Sequence, residues 1–351
     1  MNEPKLNMSK LAAESGHKRE RSRSGRNNEP EKLDLSRLGD TVSGKSEMDD
    51  AARKDDERLY QAGMKLYADI YDAVQTESVF SVDMTVSLIK KIIASLQESK
   101  ALLVLAVGKD YRQDTIAHHS LNVAILSVTI GSHAGIAGTS LVELGTAALL
   151  HDIGTARVSQ DLYNKPSALT DSELRELRQR TVMSQQILEH LGGQHAYLSA
   201  VAAQVYERLD GTGYPSGLKA GDIHEYARVI GLADLYEALT HSRPHRGRFL
   251  HFPAIQEMLR SCKQSFDRRY LKALLKTVSL YPVLSYVQLN SGAVGRVLET
   301  DSRDPLRPRL RILFDVQKKP VPSERIIDLR ENPLLFIVGA VAEENLGSAS
   351  V

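Results

Sequence analysis

Four ionisable residues stand on helical faces that are otherwise apolar. His119 shares one such face with Val123, which follows it at helical spacing. His151 closes a second apolar face and is followed directly by Asp152, while Asp234 lies within a third apolar segment. A buried carboxylate is costly unless it is paired, hydrogen-bonded or bound to a metal. Taken together, two imidazoles and two carboxylates on three inward faces predict a metal site.

This set of donors also indicates which metal and which reaction. Neutral imidazoles with carboxylates suit a borderline divalent transition metal such as manganese, iron or zinc. Two carboxylates balance the charge of one such ion, and the remaining positions are open to water and a phosphate oxygen. Water and a phosphate oxygen could therefore bind at this centre, with Asp152 as the candidate catalytic residue.

Substrate contacts are expected from a glycine-rich loop and two arginines. The loop contains Gly213, Tyr214 and Pro215, in which glycine allows a tight turn and the tyrosine ring can stack on or hydrogen-bond to a base. Arg243 and Arg246 offer planar donors that bind phosphate bidentately. The structural alternatives are a plain turn between helices and surface arginines that make salt bridges.

The order of these segments resembles the HD-GYP branch of the HD superfamily of metal-dependent phosphohydrolases. The matching segments are His119–Ala124, Leu149–Gly154, Lys165–Pro166, Leu169–Thr170 with Glu173, Glu207–Pro215, Ala233–Asp234, Ala238–Thr240 and Arg243–Pro244. The His-Asp doublet at the right distance from the Gly-Tyr-Pro loop is the specific part. The resemblance, over about residues 60–285, implies an all-α bundle that binds metal through His119, His151, Asp152 and Asp234. It also implies a cyclic dinucleotide, chiefly cyclic di-GMP, as substrate.

The chain departs from the family pattern at six positions, one of which is His245, where the family has tyrosine between Arg-Pro and Arg. Thr115, Thr155, Thr181, Val205 and Tyr206 stand where the family has glutamate, lysine, histidine and two adjacent histidines. The missing glutamate and histidines are those that the family uses for additional metal ions. The missing lysine removes a phosphate contact. We therefore predict one divalent metal ion rather than two or three.

The elements that position these residues are predicted to be helical from Asp56 to about Leu280. One helix is expected at Glu57–Val74, and a second, capped by Ser81 or Asp83, is expected to run to about Ser99. Thr170 and Glu173 form the capping-box signature of a further helix. After residue 282 the pattern becomes strand-like, with strands predicted at Ser285–Leu289, Val294–Glu299, Leu310–Val316 and Leu334–Val341.

The predicted fold is mainly α, an HD-type helical bundle with a small β-rich C-terminal subdomain. We expect a disordered tail at 1–55, N-terminal helices that pack on the core at 56–112, the metal phosphohydrolase domain at 113–282, and the β-rich segment at 283–351. The tail is assigned by composition, because it is polar and has few large apolar residues to bury.

Composition argues against a nucleic-acid-binding protein, a disulfide-stabilised protein and a membrane-spanning protein. Of the 351 residues, 42% are hydrophobic and 25% charged, with a net charge of +1, so bulk charge gives no reason to expect binding to nucleic acid. Cys262 is the only cysteine, which excludes an internal disulfide and fits a reducing compartment. The longest apolar stretches are too short to span a membrane. We expect a cytoplasmic protein.

Three functional hypotheses follow. The first is a one-metal phosphodiesterase acting on cyclic di-GMP in bacterial second-messenger signalling. The second is a catalytically silent receptor for cyclic di-GMP, or a scaffold for a signalling protein partner. The third is an HD phosphohydrolase acting on another nucleotide. The four retained ligands favour an enzyme, and the lost ligands favour the silent receptor.

Overall fold

The computed structural model describes residues 47–99, 101–108, 116–241, 251–261, 264–278, 281, 283, 285–301, 304, 306–341 and 346. Most of the predicted tail, together with Thr115, Arg243, Arg246 and Cys262, lies outside these residues. The mainly-α class with a small C-terminal sheet is confirmed. No helix in the described part of the chain is long and apolar enough to cross a membrane.

Eleven α-helices lie within the described residues. They are α1 Glu47–Gln75, α2 Val82–Glu98, α3 Ala101–Gly108, α4 Ile116–His133, α5 Gly138–Leu150, α6 Gln160–Tyr163, α7 Asp171–Glu189, α8 Tyr197–Gln204, α9 Glu225–Thr240, α10 His251–Ser261 and α11 Arg268–Thr277. Helix α1 begins at Glu47 rather than at the predicted Glu57. Its first residues combine acidic side chains, which suit a helix N-terminus, with alanine, which favours helix.

Helix α4 is the central element of the helical unit. It buries every residue from His119 to Val128, which is typical of a helix enclosed by others rather than lying at a surface. Helix α5 approaches it closely at Gly145, where an added Cβ would lie 2.8 Å from a methyl group of Val128. This enclosure carries His119 into the interior, where an ionisable side chain needs a partner.

Helix α7 begins at the predicted capping box. The Thr170 hydroxyl accepts a hydrogen bond from the Glu173 backbone N–H, and the Glu173 carboxylate accepts one from the Thr170 backbone N–H. Further along, α7 buries Thr181, Ser184, Ile187 and Leu188. The helix predicted from the capping box is therefore confirmed, and these four residues form its buried side.

A short 3₁₀ turn, Ile153–Arg157, packs directly on the backbone of α7. A Cβ added to Gly154 would lie 2.1 Å from the carbonyl oxygen of Arg180 and 2.4 Å from the Ser184 nitrogen. The Gly154 N–H also donates to the Ser184 hydroxyl at 2.8 Å. Glycine is required by this approach, which fixes the residues after α5 against the middle of α7.

The C-terminal unit is an antiparallel sheet in the order β4-β3-β2-β1-β5, counting the described strands. The strands are β1 Tyr286–Leu289, β2 Val294–Glu299, β3 Arg309–Phe314, β4 Pro320–Asp328 and β5 Ile337–Val341. Its core includes Val287, Leu289, Val297, Leu310, Ile312 and Leu329.

Two strand predictions need correction. Strand β4 was not predicted; it contains Pro320 and Pro322, which are tolerated because β4 lies at the edge of the sheet. The predicted strand Leu310–Val316 is too long at its end, because β3 ends at Phe314 and Val316, which is 53% exposed, lies in the turn that follows.

Candidate metal centre

Three predicted ligands from three elements converge in the helical unit. His119 projects from α4, His151 follows the last residue of α5, and Asp234 lies in α9. The Asp234 Oδ1 atom is 3.0 Å from His119 Nε2 and 3.5 Å from His151 Nε2. All three residues are buried, and their ligand atoms lie within 4.8 Å of one another.

Hydrogen bonds fix which nitrogen of each imidazole carries the proton. His151 Nδ1 lies 2.7 Å from the Ala148 carbonyl oxygen, which can only accept, so Nδ1 donates and Nε2 keeps its lone pair. His119 Nδ1 likewise lies 2.6 Å from the Glu237 carboxylate. The buried His151 Nε2 atom has no hydrogen-bond partner among the described residues.

The donor set fits one divalent transition metal. Two imidazole lone pairs and a carboxylate oxygen face one another in a buried space, which is unfavourable unless a cation lies among them. Metal–ligand bonds of about 2.0–2.2 Å place neighbouring ligand atoms about 3–3.5 Å apart. The two separations from Asp234 Oδ1, 3.0 and 3.5 Å, fall at this spacing.

A second carboxylate, which sequence reasoning missed, orients His119. Glu237 is fully buried and accepts from His119 Nδ1. Its other oxygen lies 3.4 Å from the Asn122 amide nitrogen, and the Tyr60 hydroxyl donates to the Asn122 carbonyl oxygen at 2.7 Å. A carboxylate behind a ligating histidine fixes the ring and raises its basicity. Glu237 could have been predicted from the sequence, because it is an ionisable residue three positions after Asp234 in an otherwise apolar helix.

The fourth predicted ligand is held by an arginine. Asp152 Oδ1 lies 3.0 Å from Arg180 Nε of α7, and the Asp152 side chain is 2% exposed. Asp152 is not among the three residues whose ligand atoms lie within 4.8 Å of one another. Burial disfavours the charged guanidinium, but the surrounding charge interactions, that with Asp152 first among them, together hold the pKa of Arg180 well above its usual value.

Arg180 stands beside Thr181, which was predicted to occupy the place of a lost ligand. Thr181 is buried, and its hydroxyl has no hydrogen-bond partner among the described residues. The hydroxyl of Thr155, where the family has lysine, is also buried and without such a partner. The side chain of α7 that reaches the centre is Arg180, which sequence reasoning missed because arginine is common on solvated helix faces.

Two stacked tyrosines connect the glycine-rich loop to the centre. The rings of Tyr206 and Tyr214 lie parallel, with centroids 5.1 Å apart. Arg180 Nη2 donates to the Tyr206 hydroxyl at 2.9 Å, and the Arg178 guanidinium lies 4.7 Å from the centre of the Tyr214 ring. Burial raises the pKa of the Tyr206 hydroxyl well above its usual value, so it stays neutral. In this structure Tyr214 stacks on a protein ring.

The loop is shaped by one glycine and one carboxylate. A Cβ on Gly213 would lie 2.4 Å from the Cα of Glu207, so no other residue fits without a shift. The Glu207 carboxylate accepts from the backbone N–H groups of Ser216, Gly217 and Leu218. Pro215 is exposed at the end of the tyrosine pair.

Comparison with known families places two matches on the chain. Residues 104–270 match the model of the HD domain, and residues 286–349 match that of a KOW domain associated with HD domains. The chain is 34% identical over 244 residues to the cyclic di-GMP phosphodiesterase PA4108 of Pseudomonas aeruginosa, covering 69% of this chain and 58% of that protein. It is 34% identical over 189 residues to the 3′3′-cGAMP-specific phosphodiesterase 3 of Vibrio cholerae, covering 53% and 41% respectively.

The fold is similar to that of a solved structure, Bd1817, an HDG"Y"P protein from Bdellovibrio bacteriovorus. The TM-score is 0.55 with 17% identity, over 68% of this chain and 75% of that one. This likeness concerns the fold alone. The chain spans less than two thirds of the length of the two curated relatives described above.

Proposed function

Because this chain belongs to the HD-GYP branch of the HD domain family, we propose that it is a metal-dependent phosphodiesterase acting on a cyclic dinucleotide, chiefly cyclic di-GMP. The observation that carries the proposal is the convergence of His119, His151 and Asp234 with two lone pairs turned inward. Relatives named as phosphodiesterases for cyclic di-GMP and cGAMP support the substrate class.

Each residue of the centre has a proposed role. His119, His151 and Asp234 hold one divalent ion of manganese, iron or zinc, and Asp152 stands beside them as a further ligand or as the acceptor of a water proton. A bound divalent ion supplies positive charge to the phosphoryl oxygens and makes water a better nucleophile. Arg180, whose Nε lies 3.0 Å from Asp152 Oδ1, places a positive charge beside this carboxylate.

Charge balance supports one metal ion. Asp152, Asp234 and Glu237 are buried carboxylates, and Arg180 is the one guanidinium paired with them in the described part of the chain. Three negative charges against one positive charge leave two, which is the charge of one divalent ion. A second divalent ion would make the buried centre cationic, which is costly without further ligands.

The substrate contacts proposed by resemblance are Gly213, Tyr214, Pro215, Arg243 and Arg246. The link from Tyr214 through Tyr206 to Arg180 supports a role for the loop, because a dinucleotide held there would lie beside the metal centre. The protein partner, if the chain acts within a signalling assembly, stays a prediction.

A catalytically silent receptor is the second candidate. The observation that favours the receptor is that Arg180 lies beside Asp152. This arginine competes for a carboxylate that hydrolysis would need as a metal ligand or proton acceptor. In this alternative the loop binds cyclic di-GMP, and the centre stabilises the fold without turning the ligand over.

Turnover separates these candidates. The purified protein is incubated with cyclic di-GMP and manganese, and the nucleotides are separated by chromatography. We expect a linear dinucleotide from the parent and none from a His151→Ala, Asp152→Ala double variant. Binding without product would establish the silent receptor. Neither binding nor product would exclude cyclic di-GMP and leave another nucleotide as the substrate.

Metal content tests the one-ion proposal separately. Elemental analysis of the parent should give about one transition metal per chain, since the charge balance and the three-ligand set suit one ion. The same double variant should bind none. Two or more equivalents in the parent would contradict the proposal.

A further inference from the structure

Arg180 is the cationic side chain of the metal centre that solvent can reach. The Arg180 side chain is 17% exposed and that of Asp234 is 12% exposed. The side chains of His119, His151 and Glu237 are at most 4% exposed. A molecule that approaches the centre from solvent therefore meets one carboxylate and one guanidinium.

The guanidinium also has donors to spare. Arginine carries five N–H donors in a rigid planar fork. Arg180 donates one to the Tyr206 hydroxyl, and its Nε lies 3.0 Å from Asp152 Oδ1 without hydrogen-bond geometry. No other acceptor among the described residues takes a hydrogen bond from it. The Arg180 guanidinium is charged and lies between Tyr206 and Asp152, with donors left over. It is therefore positioned to bind an anion, unlike an arginine on the open surface.

Its position suits a phosphate that also reaches the metal ligands. Asp152, to which Arg180 is paired, is the residue directly after His151. Backbone contact between Gly154 and α7 at Arg180 fixes the helix that carries Arg180 relative to the segment that carries Asp152. A phosphate oxygen at the open side of the centre would lie next to a fixed positive charge.

We propose that Arg180 is a catalytic residue that binds a non-bridging oxygen of the scissile phosphate and supplies charge that a second metal ion would otherwise provide. This inference rests on the proposed phosphodiesterase function for its substrate. Its chemistry, recognition of a phosphate group beside a divalent ion, can be measured without that substrate.

The test compares Arg180→Gln, Arg180→Lys and the control Arg175→Gln in the full chain. Arg175 lies on the same helix, is exposed and is not near the centre. Each manganese-loaded protein is titrated with inorganic phosphate and with cyclic di-GMP in a calorimeter, and its metal content and melting temperature are measured. Arg180→Gln should weaken phosphate binding roughly tenfold to a hundredfold, the effect of one charge-assisted contact.

The same measurements show whether Arg180 contacts the phosphate itself or only supports Asp152. Arg180→Lys keeps the charge but lacks the planar fork, so it should lose affinity by a smaller factor while keeping its metal. If Arg180→Gln fails to fold, Arg180→Lys carries the test. The Arg175→Gln control should match the parent in all measurements.

Several outcomes would overturn the inference. Unchanged phosphate affinity in Arg180→Gln would remove the residue from the phosphate site. Parallel loss of metal would make it a structural partner of Asp152 only, and a metal-loaded parent that does not bind phosphate would leave no site to explain. If Arg180 governs phosphate binding but the parent ignores cyclic di-GMP, the inference stands and the proposed substrate is wrong.

Discussion

The tautomer of each imidazole decides what the metal centre can bind, and a single acceptor sets it in each case. The acceptor for His151 is a backbone carbonyl, which substitution cannot remove. The acceptor for His119 is the side chain of Glu237, which can be changed. The centre is therefore most open to experiment at Glu237, a residue that touches no expected substrate.

Glu237→Gln should lower metal affinity about 10–100-fold, the usual effect of losing a carboxylate behind a ligating histidine. The amide is neutral and can present a donor to His119, so the ring loses its preferred tautomer. Manganese titration of the metal-free protein measures the effect. The exposed Glu176 offers a control, Glu176→Gln, that should bind metal like the parent. Equal affinities in all three proteins would show that Glu237 has no role in metal binding.

How far the sequence predicts the site depends on whether a residue is unusual for its surroundings. His119, His151 and Asp234 are ionisable residues on apolar faces, and this contrast identifies them. Arg180 escapes detection because its side chain leaves a solvated stretch of α7 and turns inward to Asp152. Long flexible side chains can do this without any change in the hydrophobic period.

At the scale of elements, local signals predict the helices better than the strands. The capping box of α7 needs only two residues that are three positions apart, so it can be predicted from the sequence. Strand β4 depends on pairing with β3, and its two prolines are acceptable only because β4 is an edge. Edge position is a property of the assembled sheet and has no local signature.

The capping box should also make the stability of the protein depend on pH. The Lys165 ammonium, followed by the Thr170 backbone N–H, lowers the pKa of the Glu173 carboxyl to about 2 from its ordinary 4.5. A carboxyl whose pKa is depressed on folding stabilises the protein above pH 4.5, and this stabilisation is lost as the pH falls toward about 2. Glu173→Gln should therefore melt below the parent at neutral pH, and the gap should close in that acid range.

Thermal melts of both proteins across this pH range make the comparison. Glu176→Gln on the same helix serves as the control, with a gap that does not vary with pH. A gap between Glu173→Gln and the parent that stayed constant down to pH 2 would contradict the role assigned to the ionised carboxylate.

At the scale of the whole molecule, the helical start at Glu47 sharpens the boundary of the N-terminal tail. Deleting residues 1–46 should leave the melting temperature nearly unchanged, because this segment has few apolar residues to bury. Deleting through residue 56 should lower it. That deletion removes buried Asp56, which accepts hydrogen bonds from Ser95 and Ser99, each worth about 1–3 kcal/mol.

Calorimetry of the parent and the two deletions distinguishes these cases. A fall of many degrees in the shorter deletion would mean that the first 46 residues pack on the folded protein. Equal melting of both deletions would mean that the start of α1 contributes little to stability.

The pairing of Asp152 with Arg180 has a consequence for how such a centre can evolve. Replacing Arg180 alone leaves a buried carboxylate without its partner, at a cost of about 3–5 kcal/mol. Replacing Tyr206 alone with a metal ligand removes the hydrogen bond that its hydroxyl accepts from Arg180. Each step back toward a site with more metal ions is therefore harmful unless several changes occur together. Arg180 is therefore expected to be retained in descendants of this chain, because its loss by itself is destabilising.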